Sequence, residues 1–349
     1  MKKYYGIEAL RLFTSLSVLL YHYRHFFGPS NTETTINYDV SKFDLPFYSL
    51  LDVFYNNGFF GVNVFYTISG FVFAHVYLSV NKKIKFKEFF INRFARLYPL
   101  HFATLVIVLF LQLIHLSQSN SFQIYIFNDF YHFILNLLFI SSWGLEEGYS
   151  FNGPIWSISI EIIIYFLFFI TLTLIKKYRL NLIIIVSIFF IIADKVLDTE
   201  SLIFICARLF FSGVLIFMIS EKIKKKYYLL AFPCTLTLVI FSFVGNFKIY
   251  LFCPSVVMLF ILMDVMIKKN DVKLFLKSCG NLTYALYLLH IPTQLFLLLL
   301  GNYFNLSNYL YLNLYFFIFY FIIMISISKL SFNFFEKPLN KKIRNNFNR

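Results

Sequence analysis

The feature that most constrains this chain is a series of apolar runs, each about as long as a bilayer's hydrocarbon core is thick. A helix needs roughly 20 mostly apolar residues to cross that core. Such runs stand at about 7–27, 58–80, 99–117, 154–175, 180–194, 201–219, 228–245, 249–267, 281–301 and 308–334, which predicts ten spanning helices. A further apolar stretch at about 129–142 is short, and reads as re-entrant or interfacial. Composition agrees. Only 14% of the residues are charged and 59% are hydrophobic, whereas soluble domains are about 25% charged. Disorder, a disulfide scaffold and an ordinary soluble enzyme are excluded.

The net charge of +14 would suggest a nucleic-acid partner in a soluble protein. Here the distribution of charge gives another reading. With the N-terminus inside and ten spans, 24 of the 31 basic residues fall on inner segments and four on outer ones. That bias is the positive-inside pattern of a membrane protein. Counting 129–142 as a span would place Lys176, Lys177, Arg179 and Lys224–Lys226 outside, so it is not counted. The expected fold is therefore an all-α polytopic membrane helix bundle with both termini cytoplasmic. Residues 1–349 are read as a single integral-membrane domain. Its partner is the lipid bilayer, with no nucleic acid. The first run carries Glu8, Arg11 and His22 and lacks a small-residue cleavage site, so it reads as an uncleaved span. Cys206, Cys234, Cys253 and Cys279 are dispersed without metal-site spacing, and no metal is expected.

Ionisable side chains inside spans are costly and mark function. On the first run, Arg11 and His22 are separated by about 1100° of helical rotation, roughly 20° past three full turns. They share one face, about 16 Å apart along the axis. Glu8 and Ser15 lie on the same stripe, and Glu8 can pair with Arg11 at i,i+3. The simpler alternative is that Glu8 and Arg11 snorkel to the inner interface. Arg24 and His25, at the outer end, read as interfacial.

Other spans carry their own polar points. In Arg93-Phe-Ala-Arg96-Leu-Tyr-Pro99 the two guanidiniums lie on one side of a short inner helix, with Pro99 placed as a helix start. They suit bidentate phosphate binding, or they serve topology alone. Gly58-Phe-Phe-Gly61-Val-Asn63 through Ser69-Gly70 is punctuated by glycine, which permits close helix packing, while Asn63 and Ser69 need partners. Trp156-Ser157-Ile-Ser159-Ile-Glu161 opens a span with a belt residue and puts a carboxylate about two turns into the membrane. Tyr287 and His290 share a face, and Pro292 would loosen the helix beyond them.

Together these segments resemble the acyltransferase-3 family of integral membrane O-acyltransferases. The resemblance rests on Gly6-Ile-Glu8-Ala-Leu-Arg11 with His22 beyond it, on Gly61 to Phe71, and on Arg93 to Pro99. It continues through Trp156 to Glu161, Tyr284 to Pro292 and Phe335-Glu336-Lys337-Pro338-Leu339. Asn63, Asn92 and Ile162 depart from the usual Asp, Arg and Glu. The chain is similar to the stand-alone type, without the soluble esterase-like domain.

The resemblance implies acetyl transfer from cytoplasmic acetyl-CoA, as co-substrate, to a hydroxyl of a cell-envelope or secreted glycan, with O-antigen or exopolysaccharide foremost. It places the protein in the bacterial inner membrane. Arg93 and Arg96 are then candidates for CoA phosphates. Arg11 would neutralise or orient the thioester end. His22 is the candidate general base, since an imidazole near pKa 6.5 suits proton transfer at neutral pH. Glu161 would support it as a triad's acid does. Tyr287 and His290 are weaker candidates for acceptor binding or oxyanion stabilisation, with Glu8, Asn63, Ser69, Trp156 and Ser157 in support. The competing class is a transporter or flippase of a glycan precursor, which would consume no thioester.

Overall fold

A backbone inside a bilayer has no water to bond to, so its N–H and C=O groups must pair within the segment. Apolar runs of this length therefore become helices. The computed structural model describes residues 3–28, 41–80, 84–197, 201–242 and 248–347, and over them the chain is all-α. The helices are α1 (Tyr5–His22), α2 (Tyr48–Asn57), α3 (Phe60–Leu78), α4 (Phe86–Ser119), α5 (Phe130–Leu137) and α6 (Ile155–Leu197). They continue with α7 (Leu202–Lys222), α8 (Tyr228–Phe241), α9 (Lys248–Met263), α10 (Asn270–Tyr303), α11 (Leu314–Leu330) and α12 (Lys337–Phe347). A 3-10 turn, Tyr23–Phe27, continues α1, and a π-helical turn, Ser331–Glu336, joins α11 to α12.

Among the described residues, six helices are long and apolar enough to cross a membrane: α3, α4, α6, α7, α10 and the run from α11 through α12. The ten apolar runs thus map onto fewer helices of full length. The reasons are physical. α6 carries two of the runs and changes direction at Arg179, whose φ of 48° and ψ of −123° are not helical. α8 and α9 are apolar but shorter, and each contains a proline, Pro233 and Pro254. α1 has 18 residues but carries Glu8, Arg11 and His22. The stretch at 129–142 yields only α5, eight residues long. Of the basic residues in the topology count, Lys2, Lys82, Lys83 and Arg349 lie outside the described residues, as do the side chains of Lys195, Lys225 and Lys248.

Two prolines lie inside long helices. Pro99 sits inside α4 rather than at a helix start. It has no N–H for the carbonyl four residues back, at Ala95. Pro292 is likewise inside an unbroken α10. An apolar crevice of about 330 Å³ flanks it, lined by Leu289, Phe296, Ile107 and Leu111.

The chain divides into two compact units. The first comprises residues 1–14, 60–86 and 160–281. In it α3 packs along α7, and α9 packs on both. The α3–α7 contact is made by glycines. A Cβ on Gly70 would stand 1.8 Å from the Phe210 carbonyl oxygen, and one on Gly213 would stand 2.0 Å from that of Thr67. Only hydrogen fits at either place. The start of α1 is fixed from far away in sequence. Asp264 Oδ1 accepts from the N–H of Tyr5 at 2.5 Å and of Gly6 at 3.0 Å. Those are donors that a helix N-terminus leaves without an intrahelical partner. Tyr4 donates its hydroxyl to Glu221 at 2.9 Å and rests edge-on against Phe71 and His75.

The second unit comprises residues 15–59, 87–159 and 282–349. Its interior is unusually polar. His25, His101, His115, His132, Asn136, Asn152, His290 and Gln294 are all buried. Most are tied to backbone. His101 Nε2 meets the Asn136 carbonyl at 2.8 Å, and His115 Nε2 meets that of Leu295 at 3.2 Å. The segment around α5 is pinned by side chains. His132 Nδ1 bonds Asp129 Oδ2 at 2.8 Å, and His132 Nε2 accepts from Glu147 N–H at 3.2 Å. Asn136 donates to Ser150 Oγ at 2.8 Å, and Asn128 Oδ1 accepts from Phe151 N–H at 2.7 Å. The Asp129 carboxyl is partly desolvated, which opposes its charge. The hydrogen bonds from the backbone and ring of His132 outweigh this and hold it below its ordinary value.

Candidate active site

The densest polar cluster in the second unit forms where α1 ends. Its centre is His22, the last residue of α1. The ring of His290 from α10 stacks on the ring of His22, with centroids 4.9 Å apart and planes 23° apart. The ring of His25 lies 4.9 Å from that of His22 on another side. Tyr21 approaches His22 edge-on at 5.2 Å, and Tyr125 approaches His25 at 5.7 Å. His290 is 0% exposed and His25 only 4%. His22 is only part-buried, although its Nδ1 is closed off. Of the three imidazoles it is the one with open surface.

Neighbours along α10 continue the cluster. Tyr287, one turn before His290, holds Ser157 Oγ at 2.7 Å, and both hydroxyls reach the Pro154 carbonyl at 3.1 Å. This fixes the start of α6, where Trp156 stands 6.3 Å from Tyr149. Asn152, 0% exposed, donates to Thr104 Oγ1 at 3.0 Å and to the Leu288 carbonyl at 2.9 Å. Gln294, one turn after His290, donates from Nε2 to the backbone carbonyl of His22 at 2.9 Å. Tyr284 donates to the Leu97 carbonyl at 2.5 Å, next to Arg96 on α4. Both Arg93 and Arg96 are half-buried there.

The remaining expected residues belong to the first unit. Arg11 and Glu8 form the anticipated i,i+3 ion pair at 2.9 Å. Glu8 is held close by Gly280, where a Cβ would collide with its carboxylate. Ser69 Oγ reaches Tyr165 OH at 3.4 Å, and the Asn63 carbonyl accepts from Thr67 at 3.3 Å. Glu161 lies two turns into α6, within electrostatic range of Cys206 on α7. Gly70 fulfils the packing reading of its segment.

The structure thus brings together His22, His290, Tyr287, Ser157 and Trp156 in the second unit. Arg11, Glu8, Asn63, Ser69 and Glu161 fall in the first. One expectation changes. His25 is buried in the cluster rather than interfacial. Arg24 lays its guanidinium 3.8 Å over the ring of Tyr21. Sequence reasoning missed Gln294 and Asn152. The signal for Gln294 was available: a neutral amide inside an apolar run, four residues after His290 and so on the same face. For Asn152 there was none, because it precedes its helix.

Chemically, the cluster offers one imidazole on a residue that is not fully buried, with two further imidazole rings against it, hydroxyls and amides nearby and no metal-binding group of three among the described residues. That is a proton acceptor in a preorganised setting.

A family model described as an acyltransferase domain matches residues 4–331. Over 205 residues the chain is 26% identical to a protein of Bacillus subtilis (strain 168) provisionally named peptidoglycan O-acetyltransferase YrhL, covering 52% of this chain and 26% of that protein. Over 178 residues it is 27% identical to the acyltransferase MdmB of Streptomyces mycarofaciens, covering 49% of this chain and 40% of that one. The matched stretches are therefore less than half the length of either relative. No solved structure matches.

Proposed function

The chain belongs to the acyltransferase-3 family, and on that premise we propose that it moves an acetyl group from cytoplasmic acetyl-CoA to a hydroxyl of a cell-envelope glycan. The bundle has ten spans in this reading, with both termini cytoplasmic and the bacterial inner membrane as its location. The full-length helices, the two shorter apolar helices and the break at Arg179 support that count.

One observation carries the assignment of the base. Among three clustered imidazoles, only His22 has open surface. With Nδ1 closed off, Nε2 is the nitrogen a substrate can use. In the proposed reaction the acceptor O–H gives its proton to His22 Nε2 while its oxygen attacks the thioester carbonyl. The tetrahedral intermediate collapses, the C–S bond breaks, and the CoA sulfur leaves with the proton returned by His22. An ester and free CoA result, and the imidazole is neutral again. General-base help of this kind is worth about 10²–10⁴ in rate.

Arg93 and Arg96 are proposed to hold CoA phosphates, for which a guanidinium pair on one helix side is suited. Arg11, steadied by Glu8, and Glu161 are proposed as further catalytic charges of the membrane interior. Ser157, Tyr287 and Trp156 are proposed to support the acceptor side, with Asn63 and Ser69 in lesser roles. O-antigen and exopolysaccharide are the acceptors proposed first, and the relative named for peptidoglycan supports a carbohydrate hydroxyl.

The test is purified protein in proteoliposomes with radiolabelled acetyl-CoA and isolated envelope glycan. Label on the glycan, removed by mild base, is the expected result. Glycan movement across the membrane with no thioester consumed would overturn the reading in favour of a flippase.

A further inference from the structure

Gln294 is a polar side chain that the reaction as written does not use, and its surroundings are specific. It is 0% exposed inside a long apolar helix. A buried amide there costs free energy unless its groups are paired. Its Nε2 donates to the carbonyl of His22 at 2.9 Å. His22 ends α1 and is also the N-cap of the 3-10 turn that follows, so its carbonyl stands where the helix changes type and offers a second lone pair to the amide. The chain then tightens into the 3-10 turn Tyr23–Phe27. Gln294 therefore caps the C-terminal end of α1 from another helix. Its Oε1 is buried and makes no hydrogen bond among the described residues, so Nε2 is the atom that ties the side chain down.

The same helix also grips the other end of His22. His290 stacks on the imidazole, and Gln294, four residues on and on the same face of α10, holds the main chain. A base that is fixed at ring and at backbone cannot swing away from its substrate. Fixing of this order matters, since small misplacements of a catalytic group cost up to about a hundredfold in rate.

We propose that Gln294 is a positioning residue for His22: together with His290 it makes α10 a two-point clamp that holds the base in its reactive place. The proposal rests on the reading of His22 as the base. It concerns neither donor binding nor acceptor identity.

The experiment reads His22 directly, without an acceptor. The full chain in detergent is treated with diethyl pyrocarbonate, and carbethoxylation of individual histidines is followed by mass spectrometry. Two variants are compared with wild type: Gln294→Met, an apolar near-isostere, and Gln294→Asn, which keeps an amide but is one methylene too short. The expected result is a rise of about threefold or more in the rate at His22, with His101 and His115 unchanged. Those two are buried in the same unit and report general loosening. In the coupled assay the same variant loses kcat about ten- to a hundredfold while the KM for acetyl-CoA stays within twofold. The proposal is overturned unless at least one variant raises His22 alone and lowers kcat rather than raising KM. Failure of the underlying reading looks different: turnover would survive His22→Ala, whatever the Gln294 variants do.

Discussion

In the first unit the interior is closed by backbone meeting backbone. Gly70 and Gly213 bring α3 and α7 so near that no side chain fits between them. In the second unit the interior is held by side chains bonding to other side chains and to carbonyls. His101, Asn136, Asn152, Ser157, Tyr287 and Gln294 each find a partner from another part of the chain. The first arrangement needs small residues and tolerates no volume. The second needs polar groups in register and tolerates no loss of a partner. In a membrane both are available, because lipid supplies no hydrophobic drive between helices and packing or hydrogen bonds must do so. The difference teaches where chemistry can sit. The glycine contact between α3 and α7 offers packing only, whereas a network of fixed donors and acceptors can hold a base and a reacting hydroxyl.

Four variants break or sharpen this contrast. The largest effect is expected at the clustered imidazoles. His22→Ala should lower acetyl transfer about 10²–10⁴-fold while leaving the amount of membrane-inserted protein unchanged. Product at the wild-type level would remove the second unit's claim to the chemistry. Next is the double change Arg93→Ala with Arg96→Ala. A charge-assisted bond is worth about 1.5–3 kcal/mol, so the loss of even one should raise the KM for acetyl-CoA at least about tenfold. An unchanged KM would leave these arginines to topology alone.

Third is Gly70→Val in the first unit. The new Cβ would meet the Phe210 carbonyl, so α3 must retreat from α7 at a cost of about 1–3 kcal/mol. A lowered Tm in detergent is expected, with turnover per folded molecule retained. Loss of kcat at normal Tm would erase the distinction drawn above. The smallest effect concerns Asp129. Its carboxyl is held below its ordinary value, so the stabilisation is complete above the unfolded carboxyl's pKa of about 4 and fades as pH falls through the lower folded value. The side chain is 55% exposed, which limits the contribution to at most about 1 kcal/mol. Asp129→Asn should lower Tm slightly at pH 6, and the gap should close on acidification. A gap that does not change with pH would show that charge plays no part there.

Much of this architecture was readable from the chain, for reasons that differ by residue. The apolar runs were legible because a bilayer demands length, and length is visible in sequence. The pair Glu8–Arg11 was legible because helical spacing alone brings the two together. The stacking of His290 on His22 was not, since 268 positions separate them and only tertiary packing joins α10 to the end of α1. His25 was misjudged because a histidine just past a helix end resembles an interfacial residue in composition, while its burial comes from tertiary packing, with Tyr125 and His22 against its ring. Pro99 was misplaced because a proline favours the first turn of a helix, yet a long membrane helix tolerates one inside.

The carboxylate that closes the start of α1 has a further consequence for how the protein is made. Tyr5 and Gly6 are synthesised long before their acceptor, Asp264, which lies 259 and 258 positions further on. At about 5–20 residues per second, the chain is extended for roughly 10–50 s before that acceptor is synthesised. The start of α1 thus waits for its partner until α9 has been made. Throughout that interval its leading amides depend on water or lipid headgroups, and any factor that attends the nascent chain has its longest opportunity there.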